Sequence, residues 1–122
     1  MTTVLIVDDD PGVRFALTEV LRDRGYRVVC ASSGAQALGL LAGVEVVVTD
    51  LSMPGMDGLE LMSHIAARAP ALPVILLTAH GSENMVRIAS SRGACDCLSK
   101  PFDIDEITRV IERARTQPRS GS

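Results

Sequence analysis

Short apolar runs alternate along the chain with segments whose apolar residues recur at helical spacing. Each run, such as Val4 to Val7, is four to six residues long and lacks the alternation of a strand with one solvated face. Continuous apolar runs of this length are typical of strands that are covered on both faces. Strands are therefore predicted at residues 4–7, 27–30, 44–49, 73–78 and 95–98, and helices at 14–24, 35–41, 58–68, 83–92 and 103–115.

The predicted helices also have recognisable starts and inward faces. Asp10 precedes Pro11, which is the usual order of an N-cap residue and the first helical residue, so a capping role is favoured for Asp10. Further capping pairs are expected at Ser33 with Gln36, Asp57 with Glu60 and Asp103 with Glu106. The expected inward residues are Phe15, Leu17, Val20 and Leu21 in the first helix and Ile104, Ile107, Val110 and Ile111 in the last.

Strict alternation of strands and helices predicts an α/β fold. Five strands would form a parallel sheet with helices on both faces, and the flavodoxin-like, doubly wound strand order 2-1-3-4-5 is expected. Residues 1–115 are predicted to form one domain. Residues 116–122 break the helical pattern with Pro118 and small polar residues, and are interpreted as a tail, a linker or an expression artefact.

Composition removes several classes of function. With a net charge of −3, the domain has no electrostatic surface for DNA or anionic lipid, and 2% aromatic residues leave no platform for stacked bases. We see no signal peptide and no apolar run that could span a bilayer. Three cysteines, Cys30, Cys95 and Cys97, are most simply reduced thiols that behave as small apolar strand residues. A cytoplasmic protein is expected.

Polar residues of three kinds follow the predicted strands. The first strand is followed by Asp8, Asp9 and Asp10, the third by Asp50, the fourth ends in Thr78 and Lys100 comes just after the fifth. In open α/β sheets the ligand site lies at the carboxyl ends of the strands, at the topological switch point. The order 2-1-3-4-5 makes the first and third strands neighbours, which would bring the carboxylates of Asp8, Asp9 and Asp50 together.

Crowded carboxylates repel one another unless a cation neutralises them. Magnesium fits best, because it accepts one or two carboxylates together with waters and a phosphate oxygen. Asp50 would then act as a nucleophile toward a phosphoryl group and form an acyl phosphate, while Thr78 and Lys100 contact the phosphoryl oxygens. Thr78 alone is compatible with a strand end and Lys100 alone with a solvated loop charge, so the interpretation depends on the whole set.

The chain resembles the receiver domains of bacterial two-component response regulators from about Val4 to Arg115. The resemblance is carried by VLIVDDDPGVR, VVVTDLSMPGMDGLEL, VILLTAHG and GACDCLSKPF, in this order and spacing. It implies that Asp50 is the phosphoacceptor. It also implies that Asp9, Asp50 and the backbone carbonyl of Ser52 bind Mg²⁺ directly, and that Asp8 acts through water.

The same resemblance implies partners. A sensor histidine kinase or phosphotransfer protein would donate the phosphoryl group, and an output domain or downstream protein would respond. A phosphorylation-dependent homodimer is expected, and direct contact of this domain with nucleic acid or membrane is not. The resemblance also implies a cis peptide between Lys100 and Pro101, and His80 is common in receivers attached to transcription activators.

Cys97 departs from the family pattern, because receivers usually carry an aromatic ring three residues before the lysine. Three other readings remain open from the sequence. A phosphatase of the haloacid dehalogenase type would need a second aspartate where Ser52 stands. A flavodoxin would bring a phosphate against Asp8 to Asp10, which would repel it. A degenerate receiver would act only as a protein-interaction module.

Overall fold

A computed structural model describes residues 1–79, 87, 91, 96–100 and 103–116. The strands are β1 (Thr3–Val7), β2 (Arg27–Ala31), β3 (Val46–Asp50), β4 (Val74–Thr78) and β5 (Asp96–Ser99). The helices are α1 (Pro11–Asp23), α2 (Gly34–Leu38), α3 (Gly58–Arg68) and α4 (Ile104–Thr116). The helix predicted at 83–92, together with His80, Cys95 and Pro101, lies outside the described residues apart from Arg87 and Ser91, which are helical.

All five strands are parallel, and their order is β2-β1-β3-β4-β5. The predicted α/β fold and the strand order are therefore confirmed. β3 and β4 are buried along their whole length, as a sheet covered on both faces requires. Strand β1 lies between β2 and β3, so the connection after β1 leads to one side of it and the connection after β2 leads to the other. The topological switch point is therefore between β1 and β3.

Two apolar layers cover the sheet. One layer packs α1 and α4 against one face, with Leu21 and Ile111 fully buried. The other layer packs α2 and α3 against the opposite face, with Leu61 and Ile65 fully buried. This second layer also receives the half-buried side chain of Cys97 from β5. The fold is thus a three-layer α/β sandwich built almost without aromatic residues.

The predicted helix caps are present. Asp10 caps α1 by accepting a hydrogen bond from the backbone N–H of Gly12 at 2.8 Å. The side chains of Ser33, Asp57 and Asp103 likewise accept hydrogen bonds from the backbone N–H of Gln36, Glu60 and Glu106, at 3.1, 2.8 and 2.7 Å. The Gln36 side chain, however, accepts from the backbone N–H of Ser32, one residue before the cap.

The predicted inward face of α1 is wrong in part. Leu17 and Leu21 are buried, but Phe15 is 69% exposed and Val20 is 36% exposed. Phe15 precedes Leu17 by two residues, which places it about 200° away around the helix and therefore on the solvent side. In the last helix Ile107, Val110 and Ile111 are buried and Ile104 packs against the same layer, as predicted.

Among the described residues no helix is both long enough and apolar enough to cross a membrane.

Candidate functional site

The register of the sheet brings the polar strand ends to one edge. Val7 of β1 pairs with Thr49 of β3, so the next residues, Asp8 and Asp50, are neighbours across the two strands. Thr78 at the end of β4 pairs with Ser99 of β5, and the following backbone N–H of Lys100 donates to the Thr78 carbonyl at 2.7 Å. The strand ends that carry the acids, Thr78 and Lys100 therefore lie at one edge of the sheet, as predicted.

Three carboxylates form the centre of this edge. Asp8, Asp9 and Asp50 each offer an oxygen, and these oxygens lie within 4.8 Å of one another. Asp8 is 1% exposed and Asp50 is 8% exposed, whereas Asp9 is exposed to solvent. Two buried acids beside an exposed one leave the cluster open on one side, where a ligand can enter.

Asp8 is held at one carboxylate oxygen and unpartnered at the other. Its Oδ1 accepts a hydrogen bond from the backbone N–H of Asp10 at 2.9 Å, while within the described part of the chain its buried Oδ2 has no hydrogen-bond partner. Burial raises the pKa of Asp8, and the charges of Asp50 and Asp9 raise it further; the Asp10 N–H and the Lys100 ammonium oppose these effects but do not cancel them. The charged form of Asp8 is therefore under strain that a cation would relieve.

Lys100 supplies one positive charge to the cluster. Its Nζ donates to Asp50 Oδ1 at 3.0 Å and lies 3.7 Å from Asp8 Oδ2, which is an ion pair but too long for a hydrogen bond. Burial disfavours the ammonium, but the hydrogen bond and charge of Asp50, together with the charge of Asp8, outweigh it and raise the pKa of Lys100. Lys100 is therefore protonated throughout the physiological range.

Thr78 and Ser52 border the cluster. Thr78 is 6% exposed at the carboxyl end of β4, where its hydroxyl group can face the same edge as Asp50. Ser52 is exposed in the loop between β3 and α3, two residues after Asp50. A phosphoryl-contacting role for Thr78 and a metal-ligating role for the Ser52 carbonyl remain predictions.

Asp10 stands apart from the other acids. It is exposed, its side chain caps α1, and it is not a member of the carboxylate cluster. The capping role predicted for Asp10 is therefore confirmed.

Two further residues shape the site, and neither was predicted as part of it. The guanidinium of Arg14 donates from Nη1 to the backbone carbonyl of Asp8 at 2.6 Å. A Cβ atom on Gly58 would lie 2.6 Å from the backbone oxygen of Asp50 and 2.9 Å from Leu51 Cα, so α3 can start this close to β3 only with glycine there. The GMDG run hints at Gly58, but Arg14 has no signal in a single sequence beyond its position in the first helix.

The residues at this edge suit a hard divalent cation. Carboxylate oxygens are the preferred ligands of Mg²⁺ and Ca²⁺. Three carboxylates lie together here, and the one ammonium within reach among the described residues, that of Lys100, does not balance their charge. Zinc and other soft metals are not favoured, because no thiolate or imidazole belongs to the cluster of described acids.

Comparison with known proteins gives a family match over most of the chain. The family model of the response regulator receiver domain matches residues 4–112. The DNA-binding transcriptional regulator NtrC of Escherichia coli K12 is 43% identical over 113 residues, which make up 91% of this chain and 24% of NtrC. The chain thus spans about a quarter of the length of such relatives.

Other relatives match over nearly their full length. Sporulation initiation phosphotransferase F of Bacillus subtilis 168 is 37% identical over 112 residues, with 90% of each chain covered. The crystal structure of the response regulator TrrA from Thermotoga maritima, in complex with Mg²⁺-BeF, superposes with a TM-score of 0.83 at 32% identity. That alignment covers 93% of this chain and 98% of TrrA.

Proposed function

Since the chain belongs to the response regulator receiver domain family and is therefore a phosphoacceptor signalling switch, we propose that Asp50 is the residue that takes the phosphoryl group. The observation that carries this assignment is the position of Asp50 at the centre of the site. Its carboxylate lies in the acidic cluster with Asp8 and Asp9, and it accepts the hydrogen bond of Lys100. The family match also decides against a haloacid dehalogenase-type phosphatase and a flavodoxin.

The reaction assigned to Asp50 is a phosphoryl transfer. A carboxylate oxygen attacks phosphorus, the bond from phosphorus to the donor's nitrogen or oxygen breaks, and an acyl phosphate forms on Asp50. A phosphohistidine of a sensor kinase or phosphotransfer protein is the donor expected for such a domain. The domain would assist this step and the later hydrolysis, since the groups that stabilise the transferred phosphoryl are its own.

Magnesium is the cofactor proposed for the acidic cluster. Asp9, Asp50 and the Ser52 carbonyl would hold the ion directly, and Asp8 would act through a water molecule. When bound, Mg²⁺ would neutralise the acids and the incoming phosphoryl oxygens. The Mg²⁺-BeF complex of TrrA, a relative at 32% identity, supports this choice of metal.

Lys100 and Thr78 are proposed to recognise the phosphoryl group. Lys100 already lies at hydrogen-bond distance from Asp50 Oδ1, so its ammonium needs little displacement to reach a phosphoryl oxygen bound there. A charge-assisted hydrogen bond of this kind stabilises the anion by about 1.5–3 kcal/mol. The Thr78 hydroxyl, at the end of the neighbouring strand, would donate to a second oxygen.

The partners follow from the same assignment. NtrC is a DNA-binding transcriptional regulator about four times as long as the aligned segment, so an output domain or downstream protein is proposed to read the state of residues 1–115. We expect a cytoplasmic domain that dimerises on phosphorylation. With a net charge of −3, the domain alone is not expected to bind DNA.

A small phosphodonor tests the assignment of Asp50. Incubation with acetyl phosphate and Mg²⁺, followed by intact-protein mass spectrometry, should add one phosphoryl group to the wild type. Asp50→Asn should lose this uptake, while Asp10→Asn should keep it, because Asp10 is an exposed cap outside the cluster. Equal uptake by wild type and Asp50→Asn would refute the assignment.

A further inference from the structure

We infer that Arg14 is a positioning residue for the metal site, because its guanidinium fixes the peptide unit that joins Asp8 to Asp9. The inference rests on the proposed function of the acidic cluster. It concerns a side chain that binds the backbone of the site and is not itself a proposed ligand of the metal or the phosphoryl group. The observation that supports the inference is the 2.6 Å hydrogen bond from Arg14 Nη1 to the Asp8 carbonyl oxygen.

Asp8 is held at three points. Its backbone N–H donates to the Ala31 carbonyl at 3.2 Å, and its Oδ1 accepts from the Asp10 N–H at 2.9 Å. The third bond is the one from Arg14, and it is the only one of the three that carries a formal charge on the donor. The remaining oxygen, Oδ2, is buried and has no hydrogen-bond partner within the described ranges, although it forms an ion pair with Lys100 Nζ at 3.7 Å.

The Arg14 bond matters most for Asp9. The carbonyl of Asp8 and the N–H of Asp9 belong to one planar peptide unit, so holding that carbonyl limits both ψ of Asp8 and φ of Asp9. Asp9 is exposed, and packing therefore does little to fix its side chain. The bond to the preceding carbonyl therefore restrains the direction of the Asp9 Cα–Cβ bond, from which the proposed direct ligand extends. Arg14 is itself anchored, since it belongs to the first turns of α1, which Asp10 caps.

Charge alone would have the opposite effect from positioning. Arg14 is a cation near three acids, so neutralising it makes the cluster more negative and should strengthen Mg²⁺ binding if only Coulomb attraction counts. Loss of a positioning bond should weaken binding instead, by about three- to tenfold, which is at or below the loss typical for outer-shell partners of metal ligands. The sign of the change therefore separates the two roles.

The test measures Mg²⁺ affinity by calorimetric titration without a phosphodonor. Arg14→Met, which keeps an unbranched apolar stem but removes the charge and the donors, should bind Mg²⁺ about three- to tenfold more weakly than wild type. Arg14→Lys keeps the positive charge but not the planar guanidinium with its fixed donors, and should also bind Mg²⁺ more weakly than wild type. The exposed Arg22 in the last turn of α1 is the matched control, and Arg22→Met should stay within about twofold of wild type.

A second readout is the metal-free amide spectrum. Arg14→Met should shift the amides of Asp9 and Asp10 while those of β3 stay in place, which also shows that the variant is folded. Mg²⁺ binding by both Arg14 variants that equals or exceeds wild type would overturn the inference. Asp9→Asn distinguishes failure of this inference from failure of the proposed metal site. If Asp9→Asn also binds Mg²⁺ as wild type does, the proposed metal centre is wrong as well.

Discussion

Replacing Asp8 with Asn should stabilise the metal-free protein while it impairs the site. Asp8 is 1% exposed, one of its oxygens has no hydrogen-bond partner among the residues that the structure describes, and two other carboxylates lie within 4.8 Å. Asn has the same shape, so its side-chain oxygen can still accept from the Asp10 N–H. The side-chain NH₂ group of Asn can also donate a hydrogen bond to a neighbouring carboxylate, whereas the charged Oδ2 of Asp8 can only repel that carboxylate.

The expected gain is about 1 kcal/mol in the free energy of unfolding. An unsatisfied buried polar group costs about 1–3 kcal/mol. Part of that gain is offset, because Asn loses the attraction of Lys100, whose Nζ lies 3.7 Å from Asp8 Oδ2. For 122 residues, an unfolding entropy of about 2.1 cal/mol/K per residue makes 1 kcal/mol equal to roughly 4 °C in Tm.

Thermal unfolding with a chelator and with Mg²⁺ measures both effects. With the chelator, Asp8→Asn should melt about 4 °C above wild type. Mg²⁺ at ten times its Kd should raise the Tm of wild type by about 5 °C, from a linkage of about 1.4 kcal/mol, and should raise that of the variant much less. Asp10→Asn is the control, since Asn is also a good cap and should change stability by about 1 kcal/mol or less.

The pH dependence of the gain has a definite sign. The folded pKa of Asp8 lies above its ordinary value of 3.8, so the folded protein binds this proton more tightly than the unfolded chain. Wild type therefore loses stability relative to Asp8→Asn as pH rises from about 3.8 through the raised folded pKa. The difference should be constant at higher pH and vanish toward pH 3.8. A variant that melts below wild type at neutral pH in chelator would refute the reasoning.

Three further predictions concern the rest of the site. Gly58→Ala should cost about 1–3 kcal/mol through overpacking and also slow phosphorylation, because its Cβ would lie 2.6 Å from the backbone oxygen of Asp50, the proposed phosphoacceptor. Gly25→Ala, at φ +92° in open space, is the control and should cost stability alone. Unchanged phosphorylation of Gly58→Ala would contradict this prediction. In calorimetric titration, Lys100→Met should bind Mg²⁺ at least as tightly as wild type but bind Mg²⁺-beryllofluoride at least about tenfold more weakly. Equal beryllofluoride binding by the variant and wild type would show that Lys100 does not recognise the phosphoryl group. Amide shifts on Mg²⁺-beryllofluoride binding should be large at Thr78 and small at Cys97, and comparable shifts at both would show that the thiol transmits the signal.

The fold and the acidic centre could be predicted from the sequence because their signals are local. Apolar runs without alternation mark strands buried on both faces, and capping residues such as Asp57 mark helix starts within one turn. The site then follows from topology, since the carboxyl ends of adjacent parallel strands meet at one edge. Asp8 and Asp50 are 42 residues apart in sequence, yet the pairing of Val7 with Thr49 makes them neighbours.

Other features depend on geometry that the pattern does not contain. The apolar character of Phe15 favours the buried face of α1, but its position two residues before the buried Leu17 turns it toward solvent. The contact of Arg14 with the Asp8 carbonyl depends on how a long side chain folds back over the first turn, and many rotamers of Arg14 would miss it. The close approach at Gly58 requires the distance between α3 and β3, which only coordinates give.

The small residue at Cys97 is expected to limit how far a change at Asp50 can spread through β5. Burial, with the charge of Asp96, raises the pKa of the Cys97 thiol, so the side chain is a neutral, half-buried group packed against the α2 and α3 layer. A thiol lacks both the volume of a ring and a phenolic hydroxyl that could form a new bond outside the core. Its rotamers therefore differ little in packing, and two states that differ little in packing differ little in free energy. If phosphorylation is transmitted mainly by the backbone after Thr78, the coupling to the output surface should be about 1 kcal/mol, at the low end of the usual 1–3 kcal/mol.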